Sequence, residues 1–161
     1  MEKNFELTSE FITNIFGTKI ISYLKALIEF GNVKAGELGG FVEKEENLNH
    51  EGNAWVYGNA RVYGNASVYG DARVCGDARV YGNAWVYGNA RVCDDARVYG
   101  NASVYGNARV CGDARVYGNA DYATVHGFGS EYRTTTVFLK QKAGENWCEM
   151  WMFLWKFIRI P

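Results

Sequence analysis

From Val56 to Val116 valine returns at every sixth position, eleven times without a slip, and alanine stands two residues before each one, from Ala54 to Ala114. An apolar-x-apolar pair in each hexad describes one short strand with both small side chains pointing to the same side. Glycine at 52, 58, 64, 70, 76, 82, 88, 100, 106, 112 and 118 is followed each time by Asn or Asp, the residue types that tolerate corner backbone angles. Asp94 takes the glycine place once and is expected in the left-handed region.

A longer period lies inside the hexads. Cysteine replaces tyrosine only at 75, 93 and 111, which are 18 apart, so three hexads make one coil. The same spacing aligns Arg61, Arg79, Arg97 and Arg115, aligns Asp77, Asp95 and Asp113, and places Trp85 between Ser67 and Ser103. The expected fold is all-β: a single-stranded parallel β-helix of triangular section, roughly four coils of about 4.8 Å rise each. Its first face carries Trp55, Arg73, Arg91 and Arg109; its second mixes the Arg61 row with the Asp77 row; its third, with Ser67, Trp85, Ser103, Asn65, Asn83 and Asn101, is almost uncharged. Tyr63, Tyr81, Tyr99 and Tyr117 should stack along one edge and Tyr69, Tyr87 and Tyr105 along another, with Tyr57 and the three cysteines on the last.

Three segments follow: a cap and lead-in coil over 1–51, the repeats over 52–120, and a C-terminal cap with a Trp-rich tail over 121–161. At 161 residues this suits one domain with one core. Nineteen glycines with a single proline fit a chain that turns often without breaking strands. The net charge of −1 implies no bulk attraction to nucleic acid or anionic lipid. The N-terminus, MEKNFELTSEF, lacks a basic region followed by an apolar run, and four cysteines without paired spacing fit a reducing compartment, so a cytoplasmic protein is expected.

The rungs, such as Val56-Tyr57-Gly58-Asn59-Ala60-Arg61, resemble the hexapeptide-repeat β-helix superfamily, which implies a left-handed helix. They differ from it at the second position, where Tyr or Cys stands. A closer likeness runs from about Lys19 to Phe138, through KALIEFGNVKAGELGGFVEKEENLNHEGNAWV before the rungs and GFGSEYRTTTVF after them. This stretch is similar to uncharacterised bacterial and prophage proteins of the YdcK type, some of them described as acetyltransferases.

Lys19–Phe30 reads as a helix or, from its β-branched start, as a strand; a strand-containing cap is favoured because the first coil must be hydrogen-bonded. Val33–Leu48 is expected to form an irregular lead-in with Leu48 in the alanine register. The Trp-rich stretch ENWCEMWMFLWKFIRIP has about 14 apolar-rich residues against the ~20 a membrane span needs, so no membrane is implied. It reads either as an amphipathic helix using Trp147, Trp151 and Trp155 to cover the last coil or a partner, or as a tail out of frame relative to its relatives.

Catalysis finds little support. The superfamily resemblance implies a trimeric acyltransferase with a catalytic histidine, but the only histidines, His50 and His126, flank the rungs, and no loop interrupts them. No catalytic residue, cofactor or metal is assigned. Cys75, Cys93 and Cys111 stack at about 5 Å per coil, a separation within disulfide range, yet are expected as small free thiols filling an edge, and a metal is disfavoured because three thiolates in a line make no tetrahedral site. The arginines suit phosphate, with Trp55 and Trp85 as stacking platforms, but each second-face arginine after Arg61 follows an aspartate by two residues, so ion pairing within the face is expected. Ice binding is disfavoured because Thr-x-Thr rows are absent from the rungs. Three functional expectations remain. The first is a non-enzymatic interaction protein with a macromolecular, chiefly protein, partner, for which the prophage-like resemblance suggests a host defence complex such as a CRISPR effector. The second is a homo-oligomeric acyl-CoA-dependent acyltransferase, and the third a nucleic-acid binder. The candidate partner-binding residues are Trp55, Arg73, Arg91, Arg109, Trp85, Arg133, Trp147, Trp151 and Trp155.

Overall fold

Because each hexad can bury only one alanine and one valine, the core has to be assembled by stacking, and the register shows how. In the computed structural model, which describes residues 3–13, 19–118 and 121–122, every rung strand lies parallel to the strand 18 residues later. Val62 pairs with Val80, Val80 with Val98 and Val98 with Val116, and the other two faces repeat this step. All alanines and valines from Ala54 to Val116 are buried. Burying a valine contributes about 1.5–3 kcal/mol before chain entropy is subtracted, so each rung is individually weak and the stack is what holds.

The three faces are those read from the repeat. Trp55–Val56, Arg73–Val74, Arg91–Val92 and Arg109–Val110 form a four-stranded sheet. The Arg61, Arg79, Arg97 and Arg115 strands form the second, and the Ser67, Trp85 and Ser103 strands the third. At the corners the glycines have positive φ, and crowding shows why side chains are excluded: a Cβ on Gly82 (φ +74) would lie 3.0 Å from the amide nitrogen of Gly100 in the next coil. Asp94, the exception, does adopt φ +60, and its carboxylate accepts the Gly112 N–H at 3.0 Å. That bond ties its corner to the coil beyond.

The N-terminal region is more regular than expected. A strand β1 (Phe5–Thr13) pairs antiparallel with β2 (Lys19–Ala26), and β2 pairs antiparallel with β3 (Leu38–Val42). β3 then joins the Arg61–Val62 strand in parallel, so the second face extends into a seven-stranded sheet that ends on β1. The strand reading of Lys19 onward therefore holds, with a partner strand before it.

The lead-in coil departs in register. Val42 pairs with Val62 and Leu48 with Val68, while Gly52 pairs with Gly70. The offset thus falls from 20 residues to 18 across β4 (Leu48–Gly52), where the pairing is irregular. Leu48 consequently occupies a valine place rather than the expected alanine place. The side chain of Asn47, fully buried beside it, donates to the Gly64 and Ala66 carbonyls at 3.0 and 2.7 Å and accepts the Lys44 N–H at 3.0 Å. These bonds satisfy backbone groups where the ladder is interrupted.

Candidate functional site

The outward side chains at the middle of each strand make the surfaces, and stacking in register makes them rows. Arg73, Arg91 and Arg109 lie directly above one another on the first face, Arg91 and Arg109 exposed and Arg73 half-buried. Arg61, Arg79, Arg97 and Arg115 make the second row. Like charges directly opposite on adjacent strands are destabilising, and a strand spacing of about 4.8 Å holds these together.

The expected ion pairing within the second face is not formed. Among the described residues, the ion pairs are Lys3 with Glu45, Lys25 with Glu6 and His50 with Glu45, all in the N-terminal region. The aspartates belong to the corner turns and the arginines to the strands, which keeps the carboxylates beyond ion-pair reach of the guanidiniums. On the first face, Asp71 accepts from the Asn53 amide at 2.7 Å.

The asparagines grouped on the third face form an amide ladder: Asn65 donates to Asn83 at 3.4 Å and Asn83 to Asn101 at 3.0 Å. Trp85 stands out from this face at 50% exposure, its ring edge-on to Tyr69 at 6.0 Å. The tyrosine edges form as anticipated, with ring centroids 4.8 to 5.1 Å apart and near-parallel planes. Burial raises the phenol pKa of Tyr57, Tyr63 and Tyr69, so these rings stay neutral at physiological pH.

Trp55 is not a surface residue. It occupies the place of Arg73 one coil earlier and points outward as they do, yet it is fully buried. Phe5 and Phe30 meet it edge-on, at centroid distances of 6.4 and 5.5 Å. Gly39 lies against it so closely that a Cβ there would come within 2.7 Å of the indole. Trp55 is therefore the anchor of the N-terminal cap and is withdrawn as a partner contact, because the hairpin and the Gly39-Gly40 strand cover it. Its indole nitrogen, like the Ser22 hydroxyl, is buried without a hydrogen-bond partner among the described residues.

His50 is also structural. Its Nδ1 accepts the Asn4 N–H at 3.2 Å, its Nε2 lies 2.8 Å from Glu45, and its ring stacks on Phe5 at 4.0 Å. With both nitrogens engaged it has no free position for a substrate proton. The Lys3 ammonium and then His50, both hydrogen-bonded to Glu45, hold its carboxyl below the usual value.

The cysteine edge corrects the free-thiol expectation. Cys75 and Cys93 are joined in a disulfide with their Cα atoms 4.6 Å apart, and Cys111 is free. Parallel stacking brings the Cα atoms into bonding range whatever their separation in sequence. No group of three His, Cys, Asp or Glu among the described residues is placed to hold a metal, and no helix among them is long and apolar enough to cross a membrane.

Arg133, Trp147, Trp151, Trp155 and His126 lie outside the described residues. The cap leaves the apolar side chains of Phe11, Leu27 and Leu38 exposed, the last 62% accessible, and nothing in the rung pattern pointed to them as surface residues.

The YdcK Beta solenoid repeat family matches residues 54–70, 72–88, 90–106 and 108–120, one coil at a time. The rungs are thus similar to YdcK-type β-solenoid repeats, and the starts of the matched stretches reproduce the 18-residue period. No curated protein matches the chain.

Proposed function

We propose that this β-solenoid is a non-catalytic interaction protein that binds an acidic surface of a protein partner through Arg73, Arg91 and Arg109. The observation that carries this reading is the in-register guanidinium row with no carboxylate within ion-pair distance among the described residues. Such a row carries its own repulsion, which an acidic partner relieves, and its backbone is already held in register, so only the side chains are ordered on association. The resemblance to prophage proteins makes a host defence complex, such as a CRISPR effector, the concrete version of this partner.

The unpaired arginines also favour a nucleic-acid reading. Single-strand binding combines a basic track with aromatic platforms on one path. Here Trp55 is buried and Trp85 stands on a different face from Arg73, Arg91 and Arg109, so one strand could not use both. An acyltransferase would have to find its base elsewhere than His50.

The test is capture of a partner from host and phage-infected extracts, with Arg91→Glu and the Arg73→Glu/Arg91→Glu/Arg109→Glu triple variant beside the parent. We expect one protein to be retained, to elute with salt, and to bind about tenfold or more weakly to the triple variant. Equal retention by the triple variant would sink the reading. Salt-sensitive copurification of material absorbing at 260 nm would replace it with nucleic-acid binding, and acyl-CoA turnover with catalysis.

A further inference from the structure

Cys75, Cys93 and Cys111 occupy the same place in three successive coils, and the backbone bonds beside them repeat. Cys75 N–H donates to the Val92 carbonyl at 2.8 Å and Cys93 N–H to the Val110 carbonyl at 2.9 Å. Val74 pairs with Val92 and Val92 with Val110 on the strands that lead into this edge. The step from Cys93 to Cys111 is therefore the same step as that from Cys75 to Cys93, which already holds a disulfide. The middle cysteine has two equivalent partners and only one bond to share between them.

From this geometry we infer that the column is a thiol–disulfide exchange site, in which one cross-link moves between Cys75–Cys93 and Cys93–Cys111. Exchange requires a thiolate to attack a disulfide sulfur while the other sulfur leaves. Three cysteines stacked along one axis present attacking, central and leaving sulfur in a row. Cys111 gives up its proton and attacks Sγ of Cys93; the Cys93–Cys111 bond forms as the Cys75–Cys93 bond breaks. Cys75 departs with the electron pair as a thiolate and takes up a proton. One disulfide and one thiol stand on each side of the step, so no oxidant or reductant is consumed.

The surroundings restrain this step without blocking it. Burial, then the Asp94 carboxylate, push the Cys111 thiol up, while Arg109 and Arg91 oppose them. Cys111 and both bonded cysteines are half-buried, so the column is sheltered yet reachable. The edge divides the two arginine faces, and moving the bond shifts the free thiol by two coils, about 10 Å, from beside Arg109 to beside Arg73. This inference is independent of the partner proposed above.

Disulfide mapping in the full-length Cys148→Ser chain, which removes the fourth thiol, tests it. The protein is equilibrated in a glutathione redox buffer, acid-quenched, alkylated and cleaved before aspartate. Cleavage after arginine would be uninformative, because Cys75 and Cys111 both fall in the peptide VCGDAR. The expected result is both pairs, 75–93 and 93–111, in populations within about tenfold of each other. Adding Cys75→Ser should move the whole cross-link to 93–111, and adding Cys111→Ser should confine it to 75–93. Tyr57 stands in this place one coil earlier, so the edge tolerates substitution. Failure to find the 93–111 pair, either in the chain with all three column cysteines or in the Cys75→Ser variant, overturns the inference.

Discussion

The rungs and the N-terminal cap are two ways of making one continuous core. The rungs use nothing larger than valine inside and gain stability by repetition, with no coil irreplaceable. The cap uses Phe5, Leu24, Leu48 and Trp55, each present once, to end the stack and to cover the first strand of one face. A repeated core spreads its energy, whereas a terminal plug concentrates it, and a solenoid needs both because its end would otherwise leave apolar side chains and strand groups in water.

If that contrast is right, the largest loss should come from the plug. Trp55→Ala should cost about 3–5 kcal/mol, as large aromatic truncations in cores do, and should expose residues before Gly52 to protease ahead of the rungs. Denaturant unfolding with limited proteolysis would show it, and coincident loss of cap and rungs would mean the two are one cooperative unit. Next comes Asn47→Ala, which strands the Gly64 and Ala66 carbonyls at the irregular coil; we expect about 2–3 kcal/mol by the same denaturation assay.

The rungs themselves should respond more weakly and more locally. Gly82→Ala places a side chain at φ +74 against the next coil and should cost about 1–3 kcal/mol. Asp94→Gly, which relieves a similar backbone but loses the bond to Gly112, should stay within about 0.5 kcal/mol of the parent in thermal unfolding. The smallest effect is a pH dependence confined to the cap. Glu45 has a lowered folded pKa, so its contribution is fully present above the ordinary value of 4.5 and is lost as pH falls through the folded value. Cap opening, followed by hydrogen exchange of residues 5–12, should quicken below about pH 4.5 in the parent and change less with pH in Glu45→Gln; identical profiles would remove Glu45 from the account.

Legibility follows the same division. The 18-residue coil, the tyrosine edges, the asparagine ladder and the left-handed Asp94 could all be read because each depends only on what lies one period away. Trp55 could not, since its hexad place is that of Arg73 and only the distant Phe5, Phe30 and Gly39 decide that it is buried. The aspartates two residues before Arg79, Arg97 and Arg115 suggested pairs that corner geometry prevents. The two additional residues in the lead-in, and hence the register of Leu48, were hidden where the repeat is least like itself.

The repeat by itself determined a parallel solenoid, its period, and which residues share a face, because side-chain alternation and in-register stacking are local rules applied eleven times. Tertiary structure alone decided which outward residues stay outward. It set Trp55 beneath the cap and left the arginine rows without ion-pair partners among the described residues, because both depend on where side chains and other segments lie and not on the period; the spacing brought Cys75 within reach of Cys93, and the structure decided that they are joined.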